Sequence, residues 1–269
     1  MNLKSHLFCL IAIVIWSSLE ITGKLVGTGI DPFTLTAWRF VIGGLALLPI
    51  ALKQNGANKQ KISLSSILYI GSLGILNVCV SMLLLQLSIF FGKASVTAVI
   101  VSMNPLVVSV FALLLIKEKL SKPQIFSLGL GAIGLLFIVF FERDFSDAAF
   151  LNLPLGILYA IGASISFGLW TVLTKASVQK NGNTITNAIS FLFGGIVLLI
   201  FNIVVGKPAI FTFTPLNLLF MAYLGLIITG LSYLLYFEGM KKITASKASV
   251  YFFLKPALAS FLAYTILKE

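Results

Sequence analysis

Long apolar runs separated by short polar loops set the pattern of this chain. Each run is about 20 residues long, which is the length that a helix needs to cross about 30 Å of hydrocarbon. The pattern predicts one membrane-spanning helix for each run, nine in all. Their predicted bounds are His6 to Val26, Phe33 to Leu52, Ser65 to Phe91, Ala94 to Ile116, Pro123 to Phe141, Leu155 to Val178, Thr184 to Val205, Leu216 to Met240 and Ala245 to Leu267.

Two of these runs contain a proline in mid-helix, and the two prolines occupy matching places. Pro105 follows Asn104 in the fourth run, and Pro256 follows Lys255 in the ninth run, 151 residues later. A proline inside a helix removes one backbone donor and clashes with the carbonyl group four residues earlier. We therefore predict a helix break at each proline. At membrane depth such breaks are tolerated only beside protein or a water-filled cavity.

The same 151-residue offset extends over most of the chain. It pairs Lys24 with Lys175 and Ser81 with Ser232, without a gap. The repeat predicts an all-α integral membrane protein built from two five-helix units. Because five is an odd number, the second unit enters the membrane from the opposite side. Inverted repeats of this kind form the two exchangeable halves of alternating-access transporters.

The repeat divides the chain into three parts. Residues 1–141 form the first unit, residues 142–154 form a linker predicted to lie outside the cell, and residues 155–269 form the second unit. The counterpart of the fifth helix would lie at about positions 274 to 292, beyond the last residue. We therefore expect the complete protein to have ten helices and this chain to lack the tenth.

Composition and charge support a bilayer protein with its N-terminus inside. Hydrophobic residues make up 59 % of the chain, only 10 % is charged, and the mean hydropathy is +1.07. The net charge of +11 could indicate a nucleic-acid partner, but the lysines lie mostly in short loops. With a cytoplasmic N-terminus, 12 Lys and Arg residues lie inside and 5 outside, as the positive-inside rule requires. No nucleic-acid partner is predicted.

Several other chemistries lack the residues that they need. His6 is the only histidine, and Cys9 and Cys79 both fall in apolar runs, so no metal site, haem site or disulfide is predicted. The glycines from Gly129 to Gly134 have the spacing of a dinucleotide-binding loop, but they lie inside a span with no strand before them. No ATP-binding loop and no paired-carboxylate constellation are present. We predict no cofactor and no enzymatic activity.

Three charged residues lie deep in the predicted membrane region, where charge is costly and marks functional sites. Glu20 and Arg39 have similar predicted depths, which favours an ion pair with either a structural role or a role in coupling. Lys255 would then remain as an unpaired cation near the membrane centre. We hypothesise that it attracts an anionic group of a substrate, such as a carboxylate. The alternative is a structural lysine bonded to helix carbonyls or to Glu20.

Polar residues at helical spacing and nearby aromatic residues are candidates for the wall of a substrate cavity. Their ordinary alternatives are hydrogen bonds between helices and aromatic core packing. The candidate substrate-binding residues are Lys255, Asn104, Trp16, Asn77, Ser81, Trp170, Thr229, Ser232, Tyr236 and Phe252. Tyr233 is a further aromatic residue that could stack on an apolar or aromatic substrate.

A small set of motifs accompanies the repeat. These motifs are Ile15-Trp16-Ser17, Trp38-Arg39-Phe40, Asn104-Pro105, Lys117-Glu118, Phe253-Leu254-Lys255-Pro256 and Lys268-Glu269. Together with the repeat, they resemble the drug/metabolite transporter superfamily, in particular its EamA branch, and the resemblance covers essentially the whole chain.

The resemblance implies ten helices around a central cavity that is lined mainly by helices one, three, four, six, eight and nine. It implies secondary transport, often export, of amino acids or other small metabolites across a bacterial inner membrane, with both termini cytoplasmic. The expected partners are a small-molecule substrate, membrane lipid and, where transport is coupled, protons. The alternative is a membrane-embedded solute-binding, structural or sensory protein without net transport.

Overall fold

The computed structural model describes residues 3–26, 29–57, 62–141 and 152–267. Every regular element in these ranges is helical, which confirms the predicted all-α fold. Nine helical rods follow one another along the described chain, in the order of the nine apolar runs. They are α1 (Leu3–Val26), α2 (Pro32–Ala57), α3 (Leu64–Phe91), α4 (Ala94–Leu115), α5 (Lys122–Phe141), α6 (Leu153–Asn181), α7 (Asn183–Val204), α8 (Pro215–Met240) and α9 (Ala245–Leu267).

Most of these rods have the length and apolarity of membrane spans. Eight of them contain spans of 22 to 29 residues with a mean hydropathy of 1.6 to 2.3, and α5 is a helix of 20 residues. Large apolar side chains such as Leu114, Phe126 and Phe213 are exposed on the outside. Water would not tolerate so much exposed apolar surface, whereas a bilayer covers it. The prediction of an integral membrane protein is thus confirmed.

The helices that contain Pro105 and Pro256 are each interrupted just before that proline. The second part of α4 begins at Asn104, and α9 passes through a 3-10 turn, Val250–Leu254, before a new α-helix begins at Lys255. Pro105 and Pro256 each take the second position of the new helix. A backbone donor has no helical partner there, so its absence costs little. The interruptions also remove the clash that a proline makes inside a continuous helix.

Two further helices contain a π-helical stretch at corresponding places. These stretches are Ile75–Met82 in α3 and Tyr223–Leu231 in α8. A π-helical turn holds more residues than an α-helical turn, so the side chains that follow it point in a different direction. The apolar pattern of the sequence did not indicate these stretches, because it reports which residues are apolar and not the local pitch of the helix.

The contact between α2 and α7 shows how the two units are related. A Cβ atom on Gly44 would lie 2.7 Å from Cγ of Leu192, and a Cβ atom on Gly195 would lie 2.8 Å from Cγ2 of Val41. Gly195 and Leu192 lie 151 residues after Gly44 and Val41, so the two contacts are equivalent. Val41 contacts Gly195, and Gly44, which lies later in α2, contacts Leu192, which lies earlier in α7. The two helices therefore run antiparallel, and the repeat units are inverted.

The first helix of each unit packs against the third helix of the other unit. In one pair, α1 contacts α8, and a Cβ atom on Gly239 would lie 2.5 Å from Sγ of Cys9. In the other pair, α6 contacts α3, and a Cβ atom on Gly156 would lie 3.0 Å from the Cα of Gly92. Small residues allow this close approach, as in many membrane helix pairs. The central core therefore lies between the units and receives side chains from both.

Some sequence predictions fall outside the described residues. These are the linker up to residue 151, the Lys268-Glu269 motif, and the inner-loop lysines Lys59 and Lys61. The unit boundaries at residues 141 and 155 remain predictions. The glycine motif from Gly129 to Gly134 lies within the helix α5.

Candidate functional site

An aromatic cluster occupies the centre of the bundle around Trp16. Its indole ring lies 4.7 Å from the ring centre of Tyr233, 5.1 Å from Tyr236 and 5.8 Å from Phe252, measured between centroids. Phe167 packs edge-on against the same indole at 6.1 Å. Trp16 is the last residue before α1 is interrupted, which brings its ring into the core. Four helices thus contribute to one aromatic wall.

A narrow cavity lies beside this cluster. Its empty volume is about 410 Å³, of which about 20 Å³ admits the centre of a water molecule. That space holds about one ordered water, so side chains almost fill the cavity in this conformation. The lining residues are Trp16, Leu19, Arg39, Met82, Leu85, Val101, Ala163, Phe167, Ile228, Tyr233, Phe252 and Lys255.

The cavity lies where the two inverted units meet. The hydroxyl of Tyr233 donates to Sδ of Met82 at 3.3 Å, and these two residues are 151 positions apart. Some of the lining residues therefore occupy equivalent places in the two units, and Met82 and Tyr233 touch each other across the cavity. Three such pairs contribute to the wall: Trp16 with Phe167, Met82 with Tyr233, and Val101 with Phe252.

Lys255 forms an ion pair with Glu20, and both side chains are buried at 2 % and 0 % exposure. The predicted pair between Glu20 and Arg39 is therefore wrong, and so is the prediction that Lys255 is unpaired. The structure instead has the arrangement that the sequence left as the alternative. Each partner lies in the first turn of a helix that restarts after an interruption.

Counting depth along straight helices led to the wrong partner. The interruptions shift residues along the helix axis, since a 3-10 turn rises about 2.0 Å per residue and an α-helix about 1.5 Å. In addition, the depth of a residue in the membrane does not show which helices are neighbours. In the structure α9 packs against both parts of α1, so Lys255 is within reach of Glu20.

Arg39 is buried at 1 % exposure and lines the cavity. Its guanidinium lies 5.0 Å from the ring centre of Phe40, in a cation–π contact. Nε and Nη2 are buried and have no hydrogen-bond partner, and no carboxylate of the described chain lies within ion-pairing distance of them. Arg39 is therefore a desolvated cation at the cavity without a neutralising partner.

Three of the predicted polar residues use their hydroxyls within their own helix. Ser81, Thr229 and Ser232 each donate to the carbonyl oxygen five residues earlier, at 2.8 to 3.1 Å. These are the π-helical stretches, where a hydroxyl can reach a carbonyl that lies further back than in an α-helix. None of the three hydroxyls lines the cavity in this conformation.

Other predicted residues are buried near the centre with unsatisfied polar atoms. Neither amide atom of Asn77 has a partner, and the same holds for the indole nitrogen of Trp170 and the hydroxyl of Tyr236. Asn104 donates to the carbonyl of Ser164 at 3.3 Å, while its own Oδ1 has no partner. Buried polar atoms in proteins are nearly always hydrogen-bonded, so such a group marks a place where a ligand or water can bind.

Of the ten predicted substrate-binding residues, Trp16, Phe252 and Lys255 line the cavity. Several apolar lining residues were not predicted, because a polar or aromatic pattern does not select them. The repeat itself carries a signal for some of them, since Phe167 is the counterpart of Trp16 and Met82 the counterpart of Tyr233. The residues missed are Leu19, Met82, Leu85, Val101, Ala163, Phe167 and Ile228.

A second ion pair closes the bundle at the end that carries the N-terminus. Glu118, just after α4, accepts from Nζ of Lys175 in α6 and from the backbone N–H of Ala245 at 3.0 Å. The Glu118 and Lys175 side chains are only 13 % and 10 % exposed. The carboxylate sits at the N-terminus of α9, where helix geometry favours an anion. We call this set of contacts the Glu118 latch.

Replacing Glu118 by glutamine is expected to loosen this end of the bundle. The amide keeps one acceptor but loses the charge, so a mostly buried Lys175 is left without its partner, at a cost of about 1–3 kcal/mol. The unfolding midpoint in detergent should fall. A cysteine placed at Ser246, in a background without Cys9 and Cys79, should react faster with maleimide.

The matched control for this change is Glu238→Gln. Glu238 pairs with Lys241 at 2.7 Å, but its side chain is 45 % exposed. Exposed ion pairs contribute little to stability. The control should leave both the unfolding midpoint and the maleimide reaction nearly unchanged. Equal effects of the two variants would contradict the latch.

The sequence matches a family model in two segments, residues 3–140 and residues 154–269, described as the EamA-like transporter family. An uncharacterized transporter of Clostridium kluyveri is 34 % identical over 268 residues, which cover 99 % of this chain and 86 % of that protein. The uncharacterized transporter YyaM of Bacillus subtilis is 23 % identical and matches 88 % of this chain and 77 % of its own.

The fold is also similar to a solved crystal structure. The TM-score is 0.75 at 18 % sequence identity, over 98 % of this chain and 88 % of the other. At that identity the similarity concerns the fold alone. The family model covers nearly all of the sequence, and the relatives are named as transporters. The chain belongs to the EamA-like transporter family and is a membrane transporter.

Proposed function

We propose that this chain is a secondary transporter that moves small carboxylate-bearing or amino-acid-like solutes by alternating access of its two units. One observation carries the proposal. Equivalent residues of the two inverted units line a single central cavity, which lies between helices that are interrupted at equivalent places. Interrupted helices at the interface of inverted repeats are typical of transport sites in membrane carriers.

The packing of the units supports alternation between two states. Tyr233 and Met82 are equivalent residues in contact across the cavity, so a rocking motion can exchange their environments without breaking the helices. The cavity shares no lining residue with a larger pocket at Ser65 and Lys180 or with one at Asp31 and Phe211, nearer the opposite end of the bundle. In the proposed cycle, movement of the two units connects the central cavity with each end of the bundle in turn.

The walls of the cavity suit an organic solute with an apolar body. Trp16, Phe167 and Phe252 provide aromatic surface, and Arg39 brings a positive charge to the same space, whereas Glu20 balances the charge of Lys255. Aromatic walls with a few polar groups are typical of small-molecule sites. We propose export across a bacterial inner membrane with a cytoplasmic N-terminus, as the distribution of lysines favours.

Coupling to protons is a separate part of the proposal. Glu20 is a buried carboxylate paired with Lys255, which lines the cavity, and its Oε2 has no hydrogen-bond partner. Protonation of Glu20 would release Lys255 from the ion pair and change the charge of the cavity. Such a linked change is a way for a proton gradient to drive movement of a charged solute.

Flux in proteoliposomes tests the proposal. The reconstituted chain should exchange a radiolabelled solute from a panel of amino acids and small carboxylates. Its uptake should saturate, and the same solute on the opposite side should accelerate it. Protein-free liposomes serve as the control. Binding of a solute without any flux would overturn transport in favour of a binding or sensory protein, and flux that is independent of a pH gradient would overturn only the proton part.

A further inference from the structure

The charges at the centre of the bundle do not balance within the described chain. Glu20 and Lys255 neutralise each other in a buried pair. Arg39 lines the same cavity at 1 % exposure and has no carboxylate partner among the described residues. A buried guanidinium without an anion is costly, because its hydration is lost and not replaced. The centre therefore favours a ligand with one negative charge.

We propose that Arg39 is the anchor for the substrate carboxylate, with Asn77 and Tyr233 beside it, and that Lys255 is not. The inference rests on the proposed function and names the chemical group that the central site recognises. It replaces the sequence-based hypothesis, in which Lys255 attracts the anion and Arg39 pairs with Glu20. The observed ion pair leaves Lys255 no unbalanced charge with which to bind one.

The unsatisfied atoms of Arg39 form a fork that fits a carboxylate. Nε and Nη2 are both buried without a hydrogen-bond partner, and their N–H bonds point to the same side of the guanidinium. Two parallel hydrogen bonds from such a fork to the two oxygens of a carboxylate are the strongest and most specific contact that arginine makes. A lysine ammonium offers no planar fork, although it carries the same charge.

Neutral polar groups near the cavity can complete the site. Tyr233 lines the cavity together with Arg39, and the amide of Asn77 lies close to the Tyr233 side chain. Both amide atoms of Asn77 lack a partner and are buried. Asn77 comes from the π-helical stretch of α3, so the local change of pitch is what brings an amide to this position. The unpartnered amide of Asn77 can donate to a remaining lone pair of a bound carboxylate.

The rest of the cavity defines the body of the ligand. Phe40 and Tyr233 flank Arg39, and Trp16, Phe167 and Phe252 line the cavity beyond them. Apolar or aromatic groups bind such walls by burial of surface. The ligand class is therefore a monocarboxylate with an apolar or aromatic body. A phosphate dianion would exceed the one unbalanced positive charge of the centre.

Equilibrium binding measured through tryptophan fluorescence tests the anchor, since Trp16 is part of the wall. The probes are 3-phenylpropionate and its neutral amide, which have the same shape. The wild-type protein in nanodiscs should prefer the carboxylate by about 10- to 100-fold. Arg39→Gln should remove this preference, and Arg39→Lys should keep only part of it, because the charge remains and the fork is lost.

Further variants show whether Arg39 or Lys255 is the cation that binds the carboxylate. The double variant Glu20→Gln with Lys255→Gln removes the ion pair as a unit and should keep the preference for the carboxylate. Lys247→Gln, at an exposed lysine, is the matched control for loss of one positive charge. If the double variant loses the preference while Arg39→Gln keeps it, Lys255 is the anchor and the inference is wrong.

The outcomes also distinguish this inference from the proposed function. If neutral solutes cross the membrane and no carboxylate is preferred, transport stands and the Arg39 anchor is overturned. Preference for the carboxylate without flux supports the anchor and contradicts transport. If Arg39→Gln does not fold, the wild type and Arg39→Lys still test the anchor. The preference for 3-phenylpropionate over its amide should be smaller in Arg39→Lys than in the wild type, and an equal preference would contradict the Arg39 anchor. Phenylalanine as a third probe shows whether an ammonium group beside Glu20 is tolerated.

Discussion

Replacing Glu20 by glutamine is expected to cause the largest loss of stability among the side-chain changes considered for this protein. Lys255 is 2 % exposed, and without Glu20 its ammonium would remain buried without a counter-ion. Breaking a buried pair by removal of one partner costs about 3–5 kcal/mol, because an uncompensated charge remains in a region of low dielectric. The unfolding midpoint in detergent, followed by fluorescence or size exclusion, should fall steeply.

A double-mutant cycle separates the cost of the orphaned charge from the strength of the pair. Lys255→Gln alone should also destabilise the protein, since it leaves the Glu20 carboxylate buried and unpaired. The double replacement removes both charges and leaves two amides that can bond to each other. It should recover most of the lost stability, so that the two single effects are strongly non-additive. Additive losses would show that Glu20 and Lys255 do not act as a pair.

The sequence predicted the fold well, because its strongest signals are repeated. Apolar runs of membrane length indicated the helices, and the 151-residue offset located the interruptions before Pro105 and Pro256. These signals depend on residue type and spacing alone. The odd number of helices per unit predicted that the two units are inverted. The contacts of Gly44 and Gly195, which make α2 and α7 antiparallel, agree with this prediction.

The chemistry of the centre was harder to predict. Which cation pairs with Glu20 depends on the rotation and neighbours of α9, which a linear depth count does not contain. The sequence drew attention to Glu118 only as part of the Lys117-Glu118 motif. Its contacts with Lys175 and Ala245 join helices that are far apart in the sequence. The π-helical stretch that carries Asn77 has no signature in hydropathy at all.

Replacing Gly74 by alanine is expected to destabilise the contact between α3 and α7 strongly. A Cβ atom on Gly74 would lie 2.1 Å from the backbone oxygen of Ser190 and 3.1 Å from the backbone nitrogen of Gly194. Backbone atoms cannot rotate away as a side chain can, so the helices must separate. Overpacking of a filled core costs about 1–3 kcal/mol, and a clash with backbone belongs at the upper end of that range.

Gly129→Ala is the matched control for this change. Apart from the backbone of its own helix, no atom of the described chain lies within 4 Å of a Cβ atom built on Gly129, which is also in mid-helix. Alanine there should leave the protein unchanged or stabilise it by about 0.5–1 kcal/mol, since glycine is the weaker helix former. Thermal unfolding of the two variants in the same detergent gives the comparison. Equal midpoints would show that α3 and α7 tolerate separation.

The same substitution links packing to recognition. Asn77 follows Gly74 by one turn in α3, and Ser190, which Gly74 approaches, lies on α7, the helix that packs against the helix of Arg39. Separation of α3 from α7 should therefore move the amide of Asn77 away from the Arg39 fork. We expect Gly74→Ala to weaken binding of 3-phenylpropionate more than binding of its amide. Equal weakening of both probes would mean that the glycine contact supports the cavity walls and not the carboxylate site.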